Sequence, residues 1–116
     1  MTLSAEYTEY VLEQLRRVAS IDGRRMFGGM GLYSGGQFFA ILQNDTLYFK
    51  VDDHNRGDYE RAGMKPFKPY SDRSVTFQYY ELPAAVLEDE DELRVWIRRS
   101  LDAVVVNQTP ARRPRT

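Results

Sequence analysis

Arg24-Arg25-Met26-Phe27-Gly28-Gly29-Met30-Gly31-Leu32-Tyr33 is the stretch on which the fold turns. Three glycines in ten residues exclude a stable helix, and Ser34-Gly35-Gly36 closes the stretch with a strong turn signal. A dinucleotide-binding fingerprint needs its glycines between a strand and a helix, so that the helix N-terminus meets the pyrophosphate. Here a turn and the apolar run Phe38–Leu42 follow instead, and no Gly-Lys-Ser or Gly-Lys-Thr occurs. Met26–Tyr33 therefore reads as a sheet strand, its glycines accommodating the approach of a helix, a bulge or a strong twist. Aromatics amid glycines also suggest an RNA-recognition strand, but the spacing does not match.

Outward from that strand, Phe38–Leu42 is followed by the turn residues Asn44-Asp45. Leu47, Phe49 and Val51 then alternate with Tyr48 and Lys50, as in a half-buried strand. These three strands form an antiparallel meander. Before it lies an amphipathic helix with Ser4 as N-cap, Glu6 in its first turn and the stripe Tyr7, Val11, Leu15, Val18. That helix is expected to end near Ser20, with Asp22-Gly23 as its stop. After the meander, Asp52 or Asp53 caps a shorter helix that carries Tyr59 and Ala62 inward and stops at Gly63.

Lys65–Tyr70 holds two prolines and reads as an extended edge piece. Ser74–Leu82 resumes the alternation, with Val75, Phe77 and Tyr79 on one side and Thr76, Gln78 and Tyr80 on the other. Pro83 ends it. Asp89 with Glu92 opens the last helix, whose apolar face is Leu93, Trp96, Ile97, Leu101 and Val104. The expected class is α+β in the order α-β(3)-α-β(2)-α, two-layered, with an antiparallel five-stranded sheet and helices mainly on one face. Its other face would carry Tyr48, Lys50, Gln78 and Tyr80, and a bare face of that kind commonly serves as an interface.

The 116 residues suit one domain over residues 1–107, with a disordered basic tail at 108–116 holding Arg112, Arg113 and Arg115. A net charge of −1 and a pI near 5.8 argue against direct nucleic-acid binding. No cysteine is present, which removes disulfides, thiolate zinc sites and cysteine nucleophiles. Without a signal-peptide core or a long apolar run, a cytoplasmic protein away from membranes is expected.

His54, the single histidine, lies beside Asp52 and Asp53 but has no second His or Cys to complete a zinc site. Helix-start residues describe it better than a metal ligand or a base. Glu88–Glu92 lacks the spaced pattern of a calcium loop and reads as a solvated helix start. No catalytic residue, metal or cofactor is expected. Lys50, with Arg24, Arg25 and Arg73 on neighbouring strands, is either part of a small patch for an anion or acidic peptide or an exposed strand lysine. Lys50, Arg25, Tyr48 and Tyr80 are the interaction candidates.

The run Arg25–Tyr33, with Phe39-Ala40, Leu47–Asp52, Ala62-Gly63, Pro66-Phe67, Tyr79–Pro83 and a helix containing Trp96, resembles the TfoX N-terminal domain family over roughly residues 5–105. The resemblance implies a secretion-chaperone-like fold and a link to regulators of DNA-uptake competence. Those regulators act as transcriptional co-activators with a protein partner, the cAMP receptor protein, rather than by catalysis. Full-length regulators carry a second, C-terminal helical domain, and the sequence stops soon after its last expected helix. The alternatives are a stand-alone homodimeric binding module unrelated to competence and, more remotely, a small enzyme.

Overall fold

A computed structural model describes residues 3–26, 28–67 and 78–108. The elements are α1 (Ala5–Arg16), β1 (Asp22–Met26), β2 (Gly29–Ser34), β3 (Gln37–Gln43), β4 (Thr46–Lys50), α2 (Arg56–Arg61), β5 (Tyr79–Glu81), α3 (Ala84–Leu87) and α4 (Glu90–Gln108). The five strands form one antiparallel sheet in the order β1-β2-β3-β4-β5. The α+β class and five-stranded antiparallel sheet match the sequence expectation, while the strands divide differently along the chain.

The glycine-rich stretch is two strands rather than one. Met26 pairs with Gly29, and Gly28 lies between them at φ 80°. The Asp22-Gly23 pair expected to stop the first helix belongs to β1 instead. Helix α1 ends earlier, at Arg16, where the guanidinium turns back to donate to the Ile21 carbonyl at 3.0 and 3.2 Å. Its start is as expected, with the Ser4 hydroxyl accepting from the Tyr7 N–H at 3.2 Å.

The next two hairpins follow from turn chemistry. Gly35-Gly36 (φ 58° and 81°) and Asn44-Asp45 (φ 55° and 52°) occupy two-residue loops with positive φ at both positions. That backbone twist matches the twist of paired strands. Beyond β5, the Phe67 N–H donates to the Tyr79 carbonyl at 2.8 Å, and the Glu81 N–H donates to the Lys65 carbonyl at 2.9 Å. Residues 65–67 thus continue that edge as the extended piece the prolines imply, with a single bridge from Pro66 to Tyr80. The rest of the expected edge piece and the first part of the Ser74–Leu82 strand fall outside the described residues, as does the tail beyond residue 108.

One face of the sheet packs on the helices. Leu32, Ala40, Phe49 and Tyr80 lie in one cross-strand row, and Met30, Leu42 and Leu47 lie in the next. Val11 and Leu15 of α1, Val86 and Leu87 of α3, and Leu93, Ile97 and Val104 of α4 complete the cluster. The short α3 was not visible in the sequence. Asp89 caps α4 as expected, accepting from the N–H groups of Asp91 and Glu92. Glu92 does not return to close the box. Its carboxylate accepts from the Trp96 indole at 3.1 Å.

The register shifts between Leu32 and Tyr33, so that Ala40 pairs with Leu32 but Phe38 pairs with Tyr33. Phe39 is paired in neither ladder, and its ring packs inward at 5.2 Å from Phe49. The β3–β4 ladder ends at the Ala40–Phe49 pair. Ser100, fully buried on α4, places its hydroxyl beyond that end, 3.2 Å from the Phe39 carbonyl and 3.0 Å from the Lys50 carbonyl. One proton is shared between two acceptors. Asn55 also reaches the Lys50 carbonyl through Nδ2 (3.3 Å), while its Oδ1 accepts from the Asp52 N–H (2.7 Å). The N-cap of α2 is therefore Asn55, not an aspartate, and its side chain ties the helix to β4 rather than capping it.

Gly29 tests the close packing of the hairpin most directly. A Cβ there would run into the Leu42 carbonyl oxygen, which is backbone and has no room to yield. Gly29→Ala is expected to lower the unfolding free energy by about 1–3 kcal/mol, the usual range for overpacking. Urea denaturation checks this, with Gly31→Ala as comparison, because the atoms a Cβ would meet there belong to the side chains of Met26 and Phe38.

Candidate interaction surface

Opposite the helices, the pairing places Gly31, Ile41, Tyr48 and Glu81 in one row, flanked by the pairs Tyr33–Phe38 and Lys50–Tyr79. Tyr33 stacks on Phe38 at 5.1 Å, and Phe38 meets Tyr79 at 6.0 Å. Tyr48 meets Phe67 at 4.7 Å. A cation caps each end of the first series: the Arg24 guanidinium lies 5.0 Å from the Tyr33 ring centre, and the Lys50 amine lies 5.3 Å from that of Tyr79. The negative ring faces attract both charges. These rings are half-buried, each shielding its neighbour while leaving an edge to solvent.

Lys50 is not an exposed strand lysine. It is 6% exposed, and its amine donates to Gln78 Oε1 at 2.6 Å. Burial lowers its pKa, Asp52 works against that and Arg56 adds to it. The Tyr79 hydroxyl is pushed up to about 12, first by burial and then by neighbouring Tyr33.

Of the four interaction candidates, only Lys50 and Tyr48 share this face. Arg25 is on β1, with β2 and β3 between it and β4, and its place opposite Met30 puts it on the helix side. Three strand spacings separate it from Lys50, about 14 Å. Arg24 is on the outer face but equally far across the sheet, so the basic patch around Lys50 does not assemble from these arginines. Arg73 is outside the described residues.

Tyr80 is a correction as well. It pairs with Phe49 and is only 6% exposed, with its ring 6.0 Å from Tyr59 and its hydroxyl donating to Glu60 at 3.2 Å. The outward residue is Tyr79. Tyr33, Phe38, Phe67 and Tyr79 are the surface residues that sequence reasoning missed.

Away from this face, a recess of about 550 Å³ is lined by Asp52, His54, Asn55, Asp58, Arg99 and Asp102. His54 is largely exposed, and its Nδ1 lies 3.5 Å from Asp52 Oδ2. Asp58 is engaged by Arg99 at 2.7 Å and also by Arg61. Among the described residues, no three His, Asp or Glu side chains are placed to hold a metal. The glycines of Met26–Tyr33 meet no helix N-terminus, since β1, its turn and β2 are followed by β3. No helix among the described residues is long and apolar enough to cross a membrane.

The family model described as the TfoX N-terminal domain matches residues 13–104. No curated protein matches the sequence.

The raised phenol of Tyr79 gives an alkaline signature. Its folded pKa lies above the unfolded value of 10, so its contribution is complete below pH 10 and is lost as pH rises towards about 12. Tyr59, raised by its own burial, acts in the same sense; Lys50, with a lowered pKa, acts oppositely just below 10.5. Urea midpoints are expected to fall between pH 10 and 12. The fall should be shallower in Tyr79→Phe, by on the order of 2 kcal/mol across the window.

Proposed function

Because the chain belongs to the TfoX N-terminal domain family, we propose that it is a non-enzymatic protein-interaction domain of the competence-regulator type, acting on transcription through a protein partner. The family is regulatory rather than catalytic. The observation that carries the proposal is the one-sided packing of the sheet: the hydrophobic cluster joins the helices to one face, while Tyr33, Phe38, Ile41, Tyr48 and Tyr79 remain half-exposed on the other. Clustered aromatics on a rigid sheet supply contact area at little entropic cost, and such residues are enriched at protein interfaces. The partner implied by the family is the cAMP receptor protein, and any contact with DNA is made through it.

Capture from a native-host lysate tests this. The wild-type chain is expected to recover the cAMP receptor protein, and Tyr48→Glu, with its thermal midpoint checked, is expected to recover at least about tenfold less. Equal recovery by the variant would refute a role for the outer face. Self-association without any other captured protein would replace the proposal with a homodimeric module.

A further inference from the structure

We propose that the open edge of β1 is a strand-addition site for an extended, acidic segment of a partner protein. The inference rests on the chain being an interaction domain, and it adds a second surface with a defined chemistry. The two edges of the sheet differ. At the β5 edge, residues 65–67 supply two backbone hydrogen bonds, which together make the Pro66–Tyr80 bridge. Strand β1 pairs with β2 on one side, and no described residue pairs with it on the other. Residues 22–25 are exposed. Such an edge presents unpaired N–H and C=O groups in register for another strand.

The side chains select what is added. Arg24 and Arg25 are adjacent and point to opposite faces, so an incoming strand meets a cation on each. Arg25 makes no ion pair with any described residue. Arg24 is steadied over Tyr33 at 5.0 Å, an arrangement in which the N–H groups at the edge of its plane can donate to a carboxylate. Gly23 carries no side chain, and Met30 fills the space beside it, offering an adaptable apolar contact on the helix side.

A second copy of the chain fits less well. The antiparallel self-pairing that uses all five residues of β1 sets Arg24 against Arg24, a like-charge pair directly across the ladder. Two neighbouring acidic residues in a partner strand instead meet Arg24 on one face and Arg25 on the other.

The test uses the full chain and the probe acetyl-Thr-Val-Glu-Glu-Val-Thr-amide, followed by backbone amide NMR. Saturable binding below about 1 mM is expected, with shifts and slowed exchange confined to residues 22–26 and affinity falling with salt. Replacing the Glu pair by Lys, N-methylating alternate peptide bonds, or making the double variant Arg24→Glu/Arg25→Glu should each weaken binding at least about tenfold. Both arginines are exposed, and an unchanged thermal midpoint confirms that the variant folds. Absence of binding, indifference to N-methylation, or shifts at Tyr48 and Tyr79 instead of β1 would overturn the edge site. A dimer joined through β1 in sedimentation would overturn it too. Capture of a partner that persists in Arg24→Glu/Arg25→Glu but is lost in Tyr48→Glu removes the edge site alone and leaves the outer-face function standing.

Discussion

The hydroxyl of Ser100 stands where the β3–β4 ladder stops, between the carbonyl oxygens of Phe39 and Lys50. A bulge leaves Phe39 outside both ladders, and the Lys50 carbonyl lies past the last β3–β4 pair, where a buried carbonyl left without a donor costs about 1–3 kcal/mol. Helix α4 supplies a donor there from the middle of its apolar face, the Ser100 hydroxyl. Asn55 does the same for the Lys50 carbonyl from the start of α2, so two helices are located on the sheet by the same short segment of backbone. The bulge also determines what lies opposite. With Phe39 and Ala40 both in the core, Phe38 turns to the outer face, where it joins Tyr33 to Tyr79. Phe38 thus owes its place in the aromatic surface to this irregularity.

Much of this was legible in the residues because the signals are local. Ser4 and Asp89 accept from N–H groups of their own first turns, Asn44-Asp45 takes the left-handed turn its residue types favour, and Leu47 and Phe49 alternate inward as read. The division of Arg24–Tyr33 into two strands was not legible, because a glycine run announces conformational freedom without saying where the chain reverses. The side of Tyr80 was hidden for a different reason. Tyr79 and Tyr80 are the same residue type, so only the pairing of Tyr80 with Phe49 decides which faces in. Ser100 did leave a trace: it falls three residues after Ile97 and four before Val104, a small polar residue within an apolar stripe. Nothing in that pattern names its acceptors, which lie 50 and 61 positions away in sequence.

For function, the helices take one face and leave cations and rings on the other, while the sheet ends differently at its two edges. The expected patch around Lys50 needed Arg25 beside it, and strand order keeps them apart. Lys50 instead spends its charge within the fold, on Gln78 and Tyr79. Its backbone carbonyl, not its amine, connects it to the helices. Surface chemistry thus falls to Tyr33, Phe38, Tyr48 and Tyr79, of which Phe38 owes its outward side to the bulge.

A double-mutant cycle on Ser100 and Asn55 by urea denaturation measures the contact on which this arrangement depends. Ser100→Ala alone should lower the unfolding free energy by about 1–3 kcal/mol. Because both side chains donate to the Lys50 carbonyl, Ser100→Ala/Asn55→Ala should lose more than the sum of the single variants, by at least about 0.5 kcal/mol. A neutral Ser100→Ala, or strict additivity, would contradict the claim that the opened ladder is held by these two side chains.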